Sequence, residues 1–340
     1  GYQVWLADGS DDEEYLVATT AAVDGEVVTL DSDDYSFRVW RHPHDPVLTS
    51  TADAYDADTV ASWLETARLD TGEVRLESLA YRPMRRAVLR ADADAGTWFV
   101  KVQRPTRHLE YLERMAVLGG AGITPPVVTV PATGVSITAA AHGVSLAQAL
   151  AAWSMEGAVE PDVESILDLQ RRIPCGVLTF DRRTDWVGAL RGHGEAASVE
   201  LPERADEVAA LVRRLEKMAD TASLGPVVPV HGDFYEANIF TRDGQATAVI
   251  DIESVGPGHL VDDLACLLGH LVVLPDLSQA HYAQLPALTE RCWDAAAAFV
   301  HPPTLGARVA GLVLSFVSGS GDEQANARLD RALAVVAERT

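Results

Sequence analysis

One stretch of the chain, residues 228–265, concentrates polar side chains whose types and spacing could do chemistry. Between two apolar runs it carries His231, Asp233, Asn238 and Asp251. Amide and carboxylate oxygens are hard ligands of the kind that Mg2+ prefers, and a further carboxylate nearby could orient a hydroxyl group and accept its proton. These residue types therefore predict a metal-assisted reaction at a hydroxyl group.

The same stretch predicts a hairpin that would bring two of these side chains together. Apolar runs at residues 239–241 and 246–250 are typical of short strands, and an Asp-Gly pair between them is a strong signal for a tight turn. Folding about that turn is expected to place Asn238 opposite Asp251, with their Cα atoms on the order of 5 Å apart. One Mg2+ ion could then contact both side chains.

The order of the remaining residues matches what phosphoryl transfer requires. Asp233 precedes Asn238 by five residues, which is the spacing of a kinase catalytic loop. Such enzymes also need a lysine on an N-terminal strand to hold the phosphates and a helical Glu to hold the lysine. Lys101, one of only two lysines, lies in the apolar run TWFVKV, and Glu113 follows in a predicted helix over 107–118. The alternative for Lys101 is an edge residue whose ammonium group lies in water.

Hydrophobic patterning divides the chain into three predicted regions. Residues 1–70 read as a β-rich appendage of unknown role, with a hairpin expected about the Asp-Gly pair at 24–25. Residues 71–141 alternate between short strands and one helix, and residues 142–340 are mostly helical apart from the central hairpin. The expected fold class is therefore α+β, with a β-rich N-terminal part and a helical C-terminal part.

Two motifs of the central stretch resemble a known superfamily. HGDFYEANIF followed by VIDIESVGPGHLVDDLA is similar to the aminoglycoside phosphotransferase and choline kinase superfamily, and the resemblance runs from about residue 74 to the C-terminus. It implies a bilobal protein-kinase-like fold, to which residues 1–70 add an extra β-rich appendage. It also implies an ATP- or GTP-dependent phosphotransferase that uses Mg2+.

The resemblance gives each motif residue an expected role. Asp233 resembles the catalytic Asp, and Asn238 and Asp251 resemble the metal ligands. Lys101 is similar to the lysine that contacts the α- and β-phosphates, with Glu113 as its partner.

Other positions would support that machinery. His231 and Asp263 are expected to hold the catalytic loop, the latter through backbone hydrogen bonds. Arg85 and Arg86 lie in the loop expected over the phosphates, where they either contact phosphate or face water. Glu236, inside the motif, is expected to be exposed at the mouth of the site.

Composition narrows the partners. A net charge of -23 argues against nucleic-acid and membrane partners, which need positive surface, and is compatible with a cationic acceptor. The three cysteines have no paired spacing, and the acidic N-terminus is unlike a signal peptide, so a cytoplasmic location is expected. No feature indicates an oligomeric state.

The predicted function is transfer of the γ-phosphate of the nucleotide to a hydroxyl of a small molecule, such as an aminoglycoside, an amino sugar or an amino alcohol. Two alternatives stay open at this point. One is a nucleotide-binding pseudokinase with a regulatory role. The other is a metal-dependent phosphohydrolase, which normally needs more histidine ligands at short spacing than this stretch offers.

Overall fold

A computed structural model describes residues 2–5, 13–32, 34–69, 72–181 and 187–340. The chain divides into two compact units, one comprising Gly1–Met115 and Pro125–Ala140, the other Ala116–Thr124 and Ala141–Thr340. The first is rich in strands and the second in helices, as predicted. The residues predicted as an appendage fall in the first unit. Whether they act as a separate domain stays a prediction.

The first unit contains two antiparallel sheets. Its strands are β1 (Tyr2–Trp5), β2 (Glu13–Thr19), β3 (Val28–Asp31), β4 (Ser36–Arg41), β5 (Arg75–Arg82), β6 (Arg86–Ala93), β7 (Gly96–Gln103), β8 (Val127–Ala132) and β9 (Val135–Ala139). The first four form a sheet in the order β1-β2-β4-β3, and the other five form a sheet in the order β5-β6-β7-β9-β8. Strand β7, which carries Lys101, is the central strand of the larger sheet and pairs with a neighbour on both sides.

The hairpin expected about residues 24–25 is wrong. Strand β2 pairs with β4, and β3 pairs with the other edge of β4, so β2 and β3 are not neighbours. Strands β3 and β4 are neighbours instead, and beyond their last paired residues the Ser32 N–H donates to the Tyr35 carbonyl at 2.8 Å. The side chain of Ser32 makes two further hydrogen bonds with Tyr35, which join the adjacent ends of the two strands.

Two helices from the predicted appendage pack on the five-stranded sheet. They are α1 (Thr51–Ala54) and α2 (Ala57–Thr66), and they precede α3 (Pro105–Gly120), which begins in the first unit. Val60 and Leu64, one helical turn apart, are fully buried in one core with Leu89, Val100 and Ile137 of the sheet. Residues 48–64 therefore share a hydrophobic core with the sheet that carries Lys101.

The second unit is built from helices around two small antiparallel sheets. Its strands are β10 (Val144–Ser145), β11 (Val227–Val230), β12 (Ile239–Arg242), β13 (Gln245–Val249) and β14 (Gly256–His259). Its helices are α4 (Leu146–Glu156), α5 (Val163–Arg171), α6 (Val187–Glu200), α7 (Ala205–Asp220), α8 (Leu260–Val273), α9 (Leu285–Ala297), α10 (Pro302–Ser315) and α11 (Asp322–Arg339). The sheets are β10-β12-β13 and β11-β14. Within the described ranges, none of the helices combines the length and apolar character needed to span a bilayer.

Helix α6 forms in spite of its glycine content. Three glycines in one helix lower its intrinsic propensity. Gly194 has a packing reason, because a Cβ atom there would lie 2.5 Å from a methyl group of Val212 on α7. The two helices approach closely at the position where a side chain would prevent it.

Candidate active site

The loop that carries Asp233 is held by one buried carboxylate. Asp263, fully buried on α8, accepts hydrogen bonds from the backbone N–H groups of His231 at 2.7 Å and Gly232 at 2.8 Å. Each of its oxygens contacts one N–H, so the pair fixes two consecutive peptide planes. The loop leaves β11 at this point, and its direction toward Asp233 is therefore set from α8.

Gly232 is required where the loop turns. Its φ is +78°, a conformation that residues with a side chain rarely adopt, and a Cβ atom would lie 2.6 Å from the Ser254 carbonyl oxygen. The glycine of the HGD motif is therefore needed both for its backbone angle and for the close approach of a second backbone segment.

The buried position of Asp263 affects its pKa. Burial raises the pKa of this carboxyl from 3.8 to about 6, although the two backbone N–H groups and the Gln170 amide lower it in opposition. Gln170 Nε2 lies 3.1 Å from Asp263 Oδ2 and 3.2 Å from the Pro229 carbonyl oxygen, so it bridges α8 and β11. The sequence gives no sign of this residue, which lies 93 positions before its partner.

His231 connects the loop to the hairpin. Its side chain is fully buried, and Nε2 lies 3.0 Å from the carbonyl oxygen of Ile250, the residue before Asp251. The imidazole therefore links the start of the Asp233 loop to the residue that follows β13. Its position inside the protein fits a structural residue.

The hairpin forms as predicted, with its register displaced by one residue. Strands β12 and β13 are joined through Asp243 and Gly244, both with positive φ, as a two-residue turn of this type requires. The Ile250 N–H donates to the Asn238 carbonyl at 2.9 Å, so Asn238 lies opposite Ile250 and not opposite Asp251. A β-bulge between residues 240 and 241 sets this register, and the sequence pattern does not indicate it.

The predicted metal ligands nevertheless lie at one end of the hairpin. Asn238 is 4% exposed, and its Nδ2 donates to the Asp233 carbonyl at 3.0 Å, which directs the other amide atom, Oδ1, away from that bond. Asp251 has left-handed backbone angles, φ 57° and ψ 55°, just after the strand ends. An amide oxygen and a carboxylate are donors that fit Mg2+.

In the first unit, Lys101 faces helix α3. Its expected partner Glu113 belongs to that helix but lies on another face of it. Lys101 Nζ lies 4.8 Å from the ring centroid of Tyr111, a buried residue of that helix. Glu113 is exposed. Two residues along a helix correspond to about 200° of rotation, so Glu113 points away from the face that Tyr111 occupies. Its role as the lysine's partner stays a prediction.

Glu236 is buried, whereas the sequence predicts that it is exposed. It is 5% exposed instead of open to solvent, and its Oε2 is buried without a hydrogen bond in the described structure. The same oxygen lies 3.5 Å from His270 Nδ1 on α8, and the His270 ring stacks on Tyr235 at 4.2 Å between centroids. The sequence pattern gives no indication of His270.

Negative charge accumulates around Tyr235. Burial raises the pKa of its hydroxyl, and the charges of Asp233, Asp251 and Glu236 add to this rise. The three carboxylates therefore act on one hydroxyl group, and this end of the second unit carries a concentrated negative potential.

Comparison with known proteins identifies the family. The model of the phosphotransferase enzyme family (APH) matches residues 85–299, more than half of the chain, including both motifs. The chain belongs to this family. No curated protein matches this chain in sequence.

Solved structures with the same fold carry low sequence identity. A thermostable mutant of aminoglycoside phosphotransferase APH(4)-Ia, in complex with ADP and hygromycin B, is 17% identical with a TM-score of 0.53, covering 82% of this chain and 98% of its own. A choline/ethanolamine kinase family protein from Mesorhizobium loti is 16% identical with a TM-score of 0.50, covering 77% and 87%. These likenesses show the predicted fold class. The match to the family model confirms the resemblance noted from the sequence motifs.

Metal-binding clusters of a different kind are absent from the described residues. No group of three or more His, Cys, Asp and Glu side chains there is arranged to hold a metal ion. The metal ligands predicted for the phosphotransferase are one amide and one carboxylate, a set that leaves the remaining coordination positions to water and phosphate oxygens.

The buried Asp263 predicts a specific pH dependence of stability. Its folded pKa, about 6, lies above its ordinary value of 3.8, so the stability it contributes is fully present below pH 3.8 and is lost as the pH rises through about 6. We expect the wild type to lose free energy of unfolding relative to Asp263→Asn across that window.

Urea unfolding of both proteins between about pH 4 and pH 7 measures this difference. Asp243→Asn, an exposed change of the same charge, serves as the control and should show no such trend. A wild-type advantage that stays constant with pH would contradict the raised pKa.

Proposed function

We propose that this protein is an ATP-dependent phosphotransferase that uses Mg2+ and transfers the γ-phosphate to a hydroxyl group of a small molecule. The observation that carries the proposal is the geometry of the loop anchored by Asp263. In this loop the Asp233 carbonyl accepts a hydrogen bond from the Asn238 side chain. Asn238 in turn pairs with Ile250, the residue next to Asp251. Family membership supports the reaction type.

The choice of nucleotide is supported by two complexes of similar fold. The APH(4)-Ia mutant above is bound to ADP and hygromycin B, and a second mutant of that protein, with a TM-score of 0.52, is bound to AMP-PNP and hygromycin B. We extend adenine nucleotide binding to this chain and place the reaction in the cytoplasm, where ATP is available.

Asp233 is assigned the role of catalytic residue. Phosphoryl transfer through a loose transition state needs a positioned hydroxyl and neutralised charge more than it needs a strong base. The Asp233 carboxylate would orient the acceptor hydroxyl and take its proton late in the transfer. Its backbone is fixed by Asn238 Nδ2 at 3.0 Å, which supports the precise placement that this role demands.

The metal ion and the phosphates are assigned to separate residues. Asn238 Oδ1 and the Asp251 carboxylate would hold Mg2+, which supplies positive charge to the phosphate oxygens when bound. Lys101, with the turn that carries Arg85 and Arg86, would contact the phosphates. Glu113 is kept as the candidate partner of Lys101 that the superfamily implies.

The acceptor is proposed to carry an amino group. Glu236 lies three residues after Asp233 and is buried, and its Oε2 makes no hydrogen bond in the described structure, with His270 Nδ1 3.5 Å away. The stacked rings of Tyr235 and His270 lie beside it. The pKa of the Tyr282 hydroxyl is raised mainly by burial and also by the charge of Glu236. A buried carboxylate next to aromatic rings is a suitable partner for an ammonium group. Aminoglycosides, amino sugars and amino alcohols have that chemistry.

The first test is the reaction itself. In an assay of ADP release with ATP, GTP and Mg2+, screened over amino sugars, aminoglycosides, amino alcohols and neutral sugars, we expect an acceptor-dependent signal. Asp233→Asn should reduce turnover by at least about a hundredfold while nucleotide binding survives, because the loop keeps its shape and loses its proton acceptor.

The matched control is Asp243→Asn, an exposed residue of the hairpin turn where Asn is well tolerated. It should retain wild-type turnover. Asp233→Asn activity above about a tenth of wild type would refute the catalytic role. Nucleotide binding without any acceptor-dependent release would favour the regulatory alternative.

The amino-group proposal has its own test. Glu236→Gln keeps the shape of the side chain and removes its charge, so the KM for an amino-bearing acceptor should rise about tenfold, with kcat changed by less than about threefold. The KM for a neutral sugar acceptor should stay constant. Equal changes for amino-bearing and neutral acceptors would rule out an ammonium contact at Glu236.

A further inference from the structure

The turn between β5 and β6 has an unusual backbone. The Arg85 N–H donates to the Arg82 carbonyl at 2.9 Å, which closes a β-turn with Pro83 and Met84 at its centre. Met84 has φ +60°, the conformation that the second central residue of a type II turn requires. Glycine normally occupies that position, and a side chain there is energetically unfavourable. Surrounding contacts must therefore hold Met84 in place.

Asp45, from the β-rich N-terminal segment, supplies the main contact. Its Oδ2 accepts hydrogen bonds from the Met84 N–H and from the Tyr81 hydroxyl, both at 2.8 Å. Its Oδ1 accepts from the backbone N–H groups of Val47 and Leu48, both at 2.9 Å. The residue is 4% exposed. A buried carboxylate with four donors is firmly placed, since charge-assisted hydrogen bonds are the stronger ones.

The carbonyl side of Met84 is held as well. Arg104 Nε donates to the Met84 carbonyl oxygen at 2.6 Å. Arg104 directly follows β7, the strand that carries Lys101. Both polar backbone groups of Met84 are therefore bonded, one to the N-terminal segment and one to the end of the Lys101 strand.

Aromatic packing makes this attachment rigid. The His42 ring lies 4.5 Å from the ring centroids of both Tyr55 and Tyr81, and Trp40 Nε1 donates to the Tyr81 hydroxyl at 3.3 Å. Burial raises the pKa of Tyr81, so its hydroxyl stays protonated and can donate to Asp45. The N-terminal segment therefore contacts the β5–β6 hairpin at the base of its turn through both hydrogen bonds and aromatic rings.

The turn itself is a local concentration of positive charge. Four arginines lie on it or contact it: Arg82, Arg85, Arg86 and Arg104. In a chain with 27 basic and 50 acidic residues, such a cluster stands out as a surface for an anion. Strand β6 pairs with β7 so that Val88 lies opposite Lys101, which adds a lysine to the same pair of strands.

We propose that Asp45 is a positioning residue of the nucleotide site, and that the N-terminal segment serves to hold the arginine-bearing turn where it can contact the nucleotide's phosphates. This inference rests on the proposed phosphotransferase function. It gives residues 36–48 a role in nucleotide binding that they perform through Met84, without contacting the nucleotide themselves.

The test compares Asp45→Ala and Asp45→Asn with Asp24→Asn, an exposed residue of the same segment. Hydrogen–deuterium exchange of the peptide that contains Met84 reports on the turn, and steady-state kinetics give KM for ATP, KM for the acceptor and kcat. For Asp45→Ala we expect faster exchange at Met84 and an ATP KM about tenfold higher, with kcat and the acceptor KM within about twofold. Asp45→Asn, which keeps one acceptor oxygen, should give a smaller rise, and Asp24→Asn none.

Two results would overturn the inference. One is unchanged exchange at Met84 in Asp45→Ala, and the other is faster exchange with an unchanged ATP KM. If Asp45→Ala does not fold, Asp45→Asn is judged by the same two criteria.

A second ligand distinguishes failure of the proposed phosphotransferase function from failure of the positioning role of Asp45. If the wild type turns over no nucleotide, titration with inorganic tripolyphosphate examines the turn alone. Weaker tripolyphosphate binding by Asp45→Ala than by the wild type would support the positioning role, and equal binding would overturn it.

Discussion

The carboxylate of Asp263 is the contact on which the shape of the Asp233 loop depends. A loop has no ladder of its own to satisfy its backbone, so its shape must come from outside. Asp263 accepts the N–H groups of His231 and Gly232, and the His231 ring reaches the carbonyl of Ile250 beside Asp251. The loop is thus fixed from α8 at its start and tied to the hairpin. Phosphoryl transfer is governed mainly by position and charge, so we propose that this fixed geometry serves the reaction.

The first unit uses the same device at another loop. Asp45 is also a buried carboxylate, and it accepts backbone N–H groups, including that of Met84 in an unfavourable conformation. These two carboxylates each fix the backbone of a loop. A segment that looks like an appendage in sequence is therefore joined to the sheet of Lys101 both by a shared core and by hydrogen bonds.

The sequence predicts those features that depend on neighbouring residues. The hairpin follows from its Asp-Gly turn, and the spacing of Asp233 and Asn238 identifies the loop. Features set by distant packing are missed. The bulge that places Asn238 opposite Ile250 has no local signal, and the burial of Glu236 depends on His270 of α8. The pairing of β2 with β4 is likewise non-local. The orientation of Glu113 shows how sensitive helical phase is, since a shift of two residues exchanges the exposed and buried faces.

We propose that the loop and hairpin carry out phosphoryl transfer to a small-molecule hydroxyl. Mass spectrometry of the acceptor, after incubation with Mg2+ and ATP that is isotopically labelled in its γ-phosphate, tests this proposal. We expect the label to appear in the acceptor, attached through a hydroxyl oxygen, with the wild type and not with Asp233→Asn. Label found only in inorganic phosphate, or equal labelling of the acceptor by both proteins, would contradict it.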